Sequence, residues 1–181
     1  ITHALKGILE SEYQLTFKPE ETIIAPDGVD LERYDLKLTS VEARGQLGLA
    51  EKFTAVYSGG FYEGRGLEIL KGLARNFPQV QFLWVGGKED IVFQWKEDIA
   101  KAQIGNIILT GFVENKTLPL YQMAADVLLR PYGKIIAGSS GGDISDVSSP
   151  MKMFEYMASG RVILTSDIPV LHEVLNDRNA I

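Results

Sequence analysis

The segment Ser148–Asp167, SSPMKMFEYMASGRVILTSD, brings together residue types that can hold an anion and hydroxyl groups. Ser148 or Ser149 can cap a helix whose first position, Pro150, has no N–H to satisfy. The helix then runs over Met151–Ser159, Gly160 supplies its stop, and Arg161–Thr165 reads as a short buried strand. A helix N-terminus reached through a Ser/Gly-rich loop offers free N–H groups and the positive end of the dipole. Ser149, Pro150, Met151, Lys152 and Met153 would thus surround a phosphate, and Glu155, one turn on, would accept hydrogens from hydroxyls. The same residues also fit a core helix on which Lys152 and Glu155 pair at i, i+3.

A second cluster, Gly59-x4-Gly64-Arg65-Gly66, imitates the opening of a Walker A loop. Arg65 stands where that loop has its lysine, and Gly66 where it has the Mg-binding Ser/Thr, so a P-loop is disfavoured. The dinucleotide fingerprint fails too, because Ile69 replaces its third glycine. What remains is a cation at a helix start, with Lys71 further along. The Arg65 guanidinium can meet phosphate oxygens in a bidentate way or simply face solvent.

Composition narrows the field. With 181 residues, 45% of them hydrophobic, the chain can build one well-formed core. A net charge of −6 without any Lys/Arg run argues against nucleic acid as a partner. No apolar run approaches the ~20 residues of a membrane span. The absence of cysteine excludes disulfides and thiolate metal sites and suits a reducing cytoplasm. His3 and His172 lie near opposite ends without ligand-like partners, so no metal site is expected.

The elements that must position these residues alternate regularly. Helical patterns at Ala4–Tyr13, after the capping box Thr39-Ser-Val-Glu42, and over Arg65–Phe77, Asp90–Lys101 and Lys116–Ala124 precede the Met151 helix. Strands are expected at Thr22–Pro26, Phe53–Ser58, Val80–Val85, Asn106–Thr110, Ala125–Arg130 and Arg161–Thr165. Apolar strands separated by helices predict an α/β fold, a doubly wound Rossmann-like parallel sheet of about six strands covered on both faces. Ligands of such sheets bind outside the carboxyl ends of the strands. Those ends carry Gly59-Gly60, Gly86-Gly87, Gly111, Arg130 and Ser166-Asp167. The segment Tyr132–Ser149, rich in glycine, is expected to be the least ordered part and to become ordered around a ligand.

Taken together, the motifs resemble the donor-binding half of family 4 glycosyltransferases with the GT-B fold. The resemblance rests on Ser149-Pro-Met-Lys-Met-Phe-Glu-Tyr-Met-Ala-Ser-Gly160, Ser166-Asp167 and Glu173-Val-Leu. Pro26-Asp-Gly-Val-Asp30, Gly64-Arg-Gly-Leu-Glu68, Val85-Gly-Gly87, Thr110-Gly-Phe112 and Ala125-Asp126 follow the same family in the same order. It implies a retaining, metal-independent transferase of bacterial glycan biosynthesis. Such an enzyme takes a sugar from a nucleotide-diphosphate sugar, a substrate rather than a cofactor, at a cleft between two domains. A glycan, lipid-linked or small-molecule acceptor is implied, together with a cytoplasmic location and peripheral membrane association through the first domain. Residues 1–35 resemble the end of the acceptor-side domain and the crossing, and residues 36–181 a C-terminally truncated donor domain. On its own such a fragment is expected to bind nucleotide weakly and to transfer nothing.

Carried over by position, Arg65 matches the family's cation beside the diphosphate, and Glu155 the glutamate on the nucleotide ribose; these two are the catalytic candidates. Phe112 and Val113, after Gly111, match the place where backbone meets the base. The residue after Gly59, commonly arginine in the family, is Gly60. The first glutamate of the family's pair is replaced by Val147, which leaves Asp143 and Asp146 as candidate sugar contacts. These departures keep a catalytically degenerate nucleotide-binding domain open as the alternative.

Overall fold

The computed structural model describes residues 3–25, 27–133 and 151–176. At its centre β1 (Thr54–Ser58), β2 (Gln81–Val85), β3 (Ile107–Gly111), β4 (Val127–Arg130) and β5 (Val162–Thr165) form a five-stranded sheet. The strand order is β3-β2-β1-β4-β5 and every pair is parallel. The chain runs outward from β1 to β3, then returns to the other side of β1 for β4. The order therefore reverses between β1 and β4, and a crevice opens at their carboxyl ends.

The helices are α1 (His3–Glu12), α2 (Ser40–Gln46), α3 (Leu67–Asn76), α4 (Glu89–Lys101), α5 (Leu118–Met123) and α6 (Met151–Ala158). Period-two alternation along the strands divides them between two faces. Ala55 and Tyr57 of β1 pack with Leu67, Leu70 and Ala74 of α3 and Val92 and Ile99 of α4. Between them, Val56 turns to the opposite face with Leu83, Leu128, Leu118 of α5 and Tyr156 of α6. Trp84, fully buried, meets Phe61 and Trp95 edge-on with ring centroids 6.2 and 5.3 Å away.

The capping box forms as expected: Glu42 N–H donates to Thr39 Oγ1 at 3.2 Å, and Thr39 N–H donates to Glu42 Oε2 at 2.8 Å. The Thr39 backbone and hydroxyl donors hold the Glu42 carboxyl below its ordinary range. Asp126 serves the amino ends of the strands, accepting from Thr54 N–H at 2.8 Å and pairing with Arg44 at 2.9 Å. That motif residue belongs to the scaffold, on the edge away from the crevice.

One expected strand is absent. Residues 22–25 are extended but join no ladder, and Ile23 is 86% exposed. Their alternation of half-buried and exposed positions mimics a strand, yet among the described residues no neighbouring strand offers them a row of partners. The expectations of loop mobility over Tyr132–Ser149 and of ligand contacts at Asp143, Asp146, Ser149 and Pro150 fall, from residue 134 onward, outside the described residues.

Candidate functional site

Two adjoining cavities open along the carboxyl edge of the sheet. The first, about 380 Å³, lies at the reversal point and is walled by the ends of both β1 (Ser58, Gly59) and β4 (Arg130, Tyr132). Arg65, Lys152 and the carboxylate Asp27 complete its polar side, with Met151 beside them. The second, about 550 Å³, lies at the ends of β2 and β3, between Gly86-Gly87 and Phe112-Val113. Gly59, Gly60, Tyr62 and Lys152 line both, so they form the partition.

Local chemistry explains how these walls are held. Gly59 N–H donates to Val85 O at 2.9 Å, and Gly86 N–H to Gly111 O at 2.9 Å, stitching the loop after each strand to its neighbour. Tyr57 Oη donates to Gly60 O at 2.8 Å. Burial raises the Tyr57 phenol above its ordinary range, so it remains a donor at neutral pH. The Tyr62 ring lies over Gly60, where any Cβ would strike it at 2.3 Å. That ring is half exposed and would have to turn aside to admit a side chain there.

Below the first cavity runs a buried chain of hydrogen bonds. Tyr34 Oη donates to Gln122 Oε1 at 2.7 Å, and Gln122 Nε2 donates to Ser58 Oγ at 3.0 Å. Ser58 N–H then donates to Tyr156 Oη at 2.8 Å, and Tyr156 Oη to Leu129 O at 3.3 Å. Burial pushes the Tyr34 and Tyr156 phenols up, which keeps both protonated as the chain requires. This network ties the segment before α2 to the cavity floor. Tyr156→Phe would strand the Ser58 N–H and is expected to cost about 1–3 kcal/mol in urea unfolding. A change within about 0.3 kcal/mol would show that the network carries no stability.

The sequence-expected residues divide clearly. Arg65, Gly59, Gly60, Met151 and Lys152 line the first cavity; Gly86, Gly87, Phe112 and Val113 line the second. The Phe112 ring is 82% exposed. Gly111 acts through its carbonyl rather than by lining. Met153 is fully buried in the cluster beneath α6 and is a packing residue. Lys71 is not brought to the site: its ammonium pairs with Asp98 of α4 at 2.5 Å and Glu68 at 3.6 Å. Those pairings, the Asp98 hydrogen bond first, raise its pKa. Its place on the helix, beyond the first turn after Gly66, explains the miss.

Glu155 forms the i, i+3 pair with Lys152 at 3.0 Å that local sequence allowed. Its side chain is only 12% exposed and lines neither cavity, so in this arrangement it orients Lys152, which lines both. Sequence reasoning placed Arg130 at a strand end without assigning it to the site, and passed over Tyr132 and Tyr156. The available signal was an arginine closing the apolar run Val127–Leu129 just before Pro131. Among the described residues, no group of three or more His, Asp or Glu could hold a metal ion, and no helix is long and apolar enough to cross a membrane.

The family model for glycosyl transferases group 1 matches residues 53–181, well over half of the chain. A Bacillus subtilis protein named as a teichuronic acid biosynthesis glycosyltransferase is 24% identical over 163 residues, 88% of this chain and 38% of that protein. The phosphatidyl-myo-inositol mannosyltransferase of Mycolicibacterium smegmatis is 27% identical over 179 residues, 95% of this chain and 41% of its own. Among solved structures, Anabaena HepE in complex with UDP and glucose superposes with TM-score 0.66 at 20% identity. That match covers 91% of this chain and 43% of HepE. The chain thus spans about two fifths of the curated relatives it matches.

Proposed function

The chain belongs to the glycosyl transferases group 1 family, with the fold of a GT-B glycosyltransferase domain, and from that premise we propose that its two cavities hold a nucleotide-diphosphate sugar as donor for a retaining, metal-independent transfer. The observation that carries the proposal is the partition. An arginine-lined cavity at the strand-order reversal adjoins one with bare glycine backbone and an exposed aromatic ring. The diphosphate occupies the first, beside Arg65 and the N-terminus of α6. The nucleoside occupies the second, its base against Phe112 and the backbone of Gly86-Gly87. The HepE structure holds UDP and glucose, which makes uridine the first base to test.

In the reaction the bond from the sugar's anomeric carbon to the diphosphate oxygen breaks, and the oxygen keeps the electron pair. Charge that develops there meets the Arg65 guanidinium and the positive end of α6, both set before the bond breaks. The oxygen of an acceptor hydroxyl, supplied by a glycan, a lipid-linked sugar or a small molecule, bonds to the anomeric carbon, and the hydroxyl's proton passes to the departing diphosphate oxygen. Residues 1–35 belong in this reading to the acceptor-side domain and its crossing, and residues 36–181 to the donor domain. The isolated 181-residue chain binds nucleotide but transfers no sugar, and the enzyme works in the cytoplasm, at the inner face of the membrane.

Thermal shifts of the full-length protein with UDP-, GDP- and ADP-sugars and with NAD test the donor class. Stabilisation by one nucleotide-sugar family supports the reading; stabilisation by NAD alone overturns it. Val147 and Gly60 favour a degenerate nucleotide-binding domain as the second reading, which requires binding without turnover by the full-length protein. Glu155 is proposed to reach the ribose when Lys152 turns to the phosphates. Glu155→Gln should then weaken nucleoside and nucleoside diphosphate alike, by about tenfold. Equal affinities in calorimetric titration would leave Glu155 as the residue that orients Lys152.

A further inference from the structure

Arg130 closes β4 at the reversal point, and its side chain, only 6% exposed, lines the first cavity. Its backbone is held by β5: the Arg130 carbonyl accepts from Ser166 N–H at 3.2 Å and Thr165 Oγ1 at 3.1 Å. Its guanidinium lies 5.0 Å from the centroid of Tyr132, and the Arg65 guanidinium lies 5.9 Å from the same centroid. Tyr132 is itself pinned, its N–H donating to Ser166 Oγ at 2.9 Å. Two guanidiniums thus share one aromatic ring.

Among the described residues Arg130 pairs with no carboxylate, and its buried Nε has no hydrogen-bond partner. A ring face attracts a cation, but it does not replace the hydration that a buried guanidinium gives up. A buried charge left without a close partner is strongly unfavourable, so an anion that enters this cavity relieves that cost. Arg65 and Lys152 line the same cavity against one carboxylate, Asp27, so its described lining carries net positive charge and suits a ligand with more than one negative centre. A guanidinium on a strand end, locked against a ring, also loses little freedom when it engages oxygen atoms in a fork.

We infer that Arg130, with Arg65 across Tyr132, forms a two-arginine clamp that selects a diphosphate over a monophosphate. The inference rests on the donor reading and adds a residue to it. The first loop carries glycine at position 60, and Arg130 adds a second cation to Arg65 from the end of β4.

The test uses the full-length protein, calorimetric titration with inorganic pyrophosphate, inorganic phosphate, UDP and uridine, and thermal melting without ligand. Wild type should prefer pyrophosphate to phosphate. Arg130→Gln should weaken pyrophosphate and UDP at least tenfold, abolish that preference and leave any uridine binding unchanged. Its ligand-free melting temperature should stay level or rise, because the buried charge removed has no ion pair among the described residues. A ligand-free variant that melts several degrees earlier would identify Arg130 as internally compensated, with Asp27 of the same cavity wall the first carboxylate to test, and would overturn the clamp. Unchanged pyrophosphate affinity in Arg130→Gln, with affinity lost in Arg65→Ala, would overturn the clamp alone. Wild-type protein that binds neither pyrophosphate nor UDP would overturn the donor reading along with it.

Discussion

Gly86→Ala is expected to lower the unfolding free energy by about 3 kcal/mol or more, the largest effect of any single methyl group near the site. Gly86 has φ +119°, outside the regions open to residues with a side chain. An added Cβ would stand 2.2 Å from the Gly59 carbonyl oxygen, which is backbone and cannot swing aside. The two loops are also held together by Gly59 N–H on Val85 O and Gly86 N–H on Gly111 O, each at 2.9 Å. Relief therefore means parting the ends of β1 and β2, where both cavities meet. Urea unfolding measures the cost, and a loss below about 1 kcal/mol would mean that the partition is pliable.

Arg65→Ala is expected to weaken nucleoside diphosphate binding tenfold to a hundredfold and to leave the bare nucleoside unaffected. A hydrogen bond to a charged group contributes about 1.5–3 kcal/mol, which corresponds to that range. Folding should be nearly unchanged, because Arg65 precedes α3 and among the described residues pairs with no carboxylate. Its contact with Tyr132, at 5.9 Å, is long. Equal loss for nucleoside and diphosphate would place Arg65 elsewhere than beside the phosphates. Parallel titrations of the two ligands into wild type and variant decide the matter.

The alternation of strands and helices was open to reading because both periods are written in apolar residues. Val80–Val85 and Leu67/Leu70/Ala74 find the places that their spacing demands. The strand expected at Thr22–Pro26 is not formed over its described residues 22–25, because alternation reports half-burial, and half-burial also arises in an extended segment crossing a surface. The strand order is not in the local pattern, so the sequence could name several strand ends but not the one where the order reverses. That choice separates Arg130, inside the first cavity, from Lys71, which faces α4. The glycines at strand ends were legible as points of close approach, whereas the Tyr34–Gln122–Ser58–Tyr156 chain joins residues too far apart in sequence to be paired by inspection.

The central claim is that one ligand spans the partition, its phosphates at the reversal point and its base at the ends of β2 and β3. A crystal structure of the full-length protein with a bound nucleoside diphosphate measures this directly. The account predicts phosphate oxygens within hydrogen-bond distance of Arg65 and the first N–H groups of α6, and the base between Gly86-Gly87 and Phe112. Phosphates seated away from Arg65, or a base lodged in the cavity walled by Arg130 and Tyr132, would contradict it.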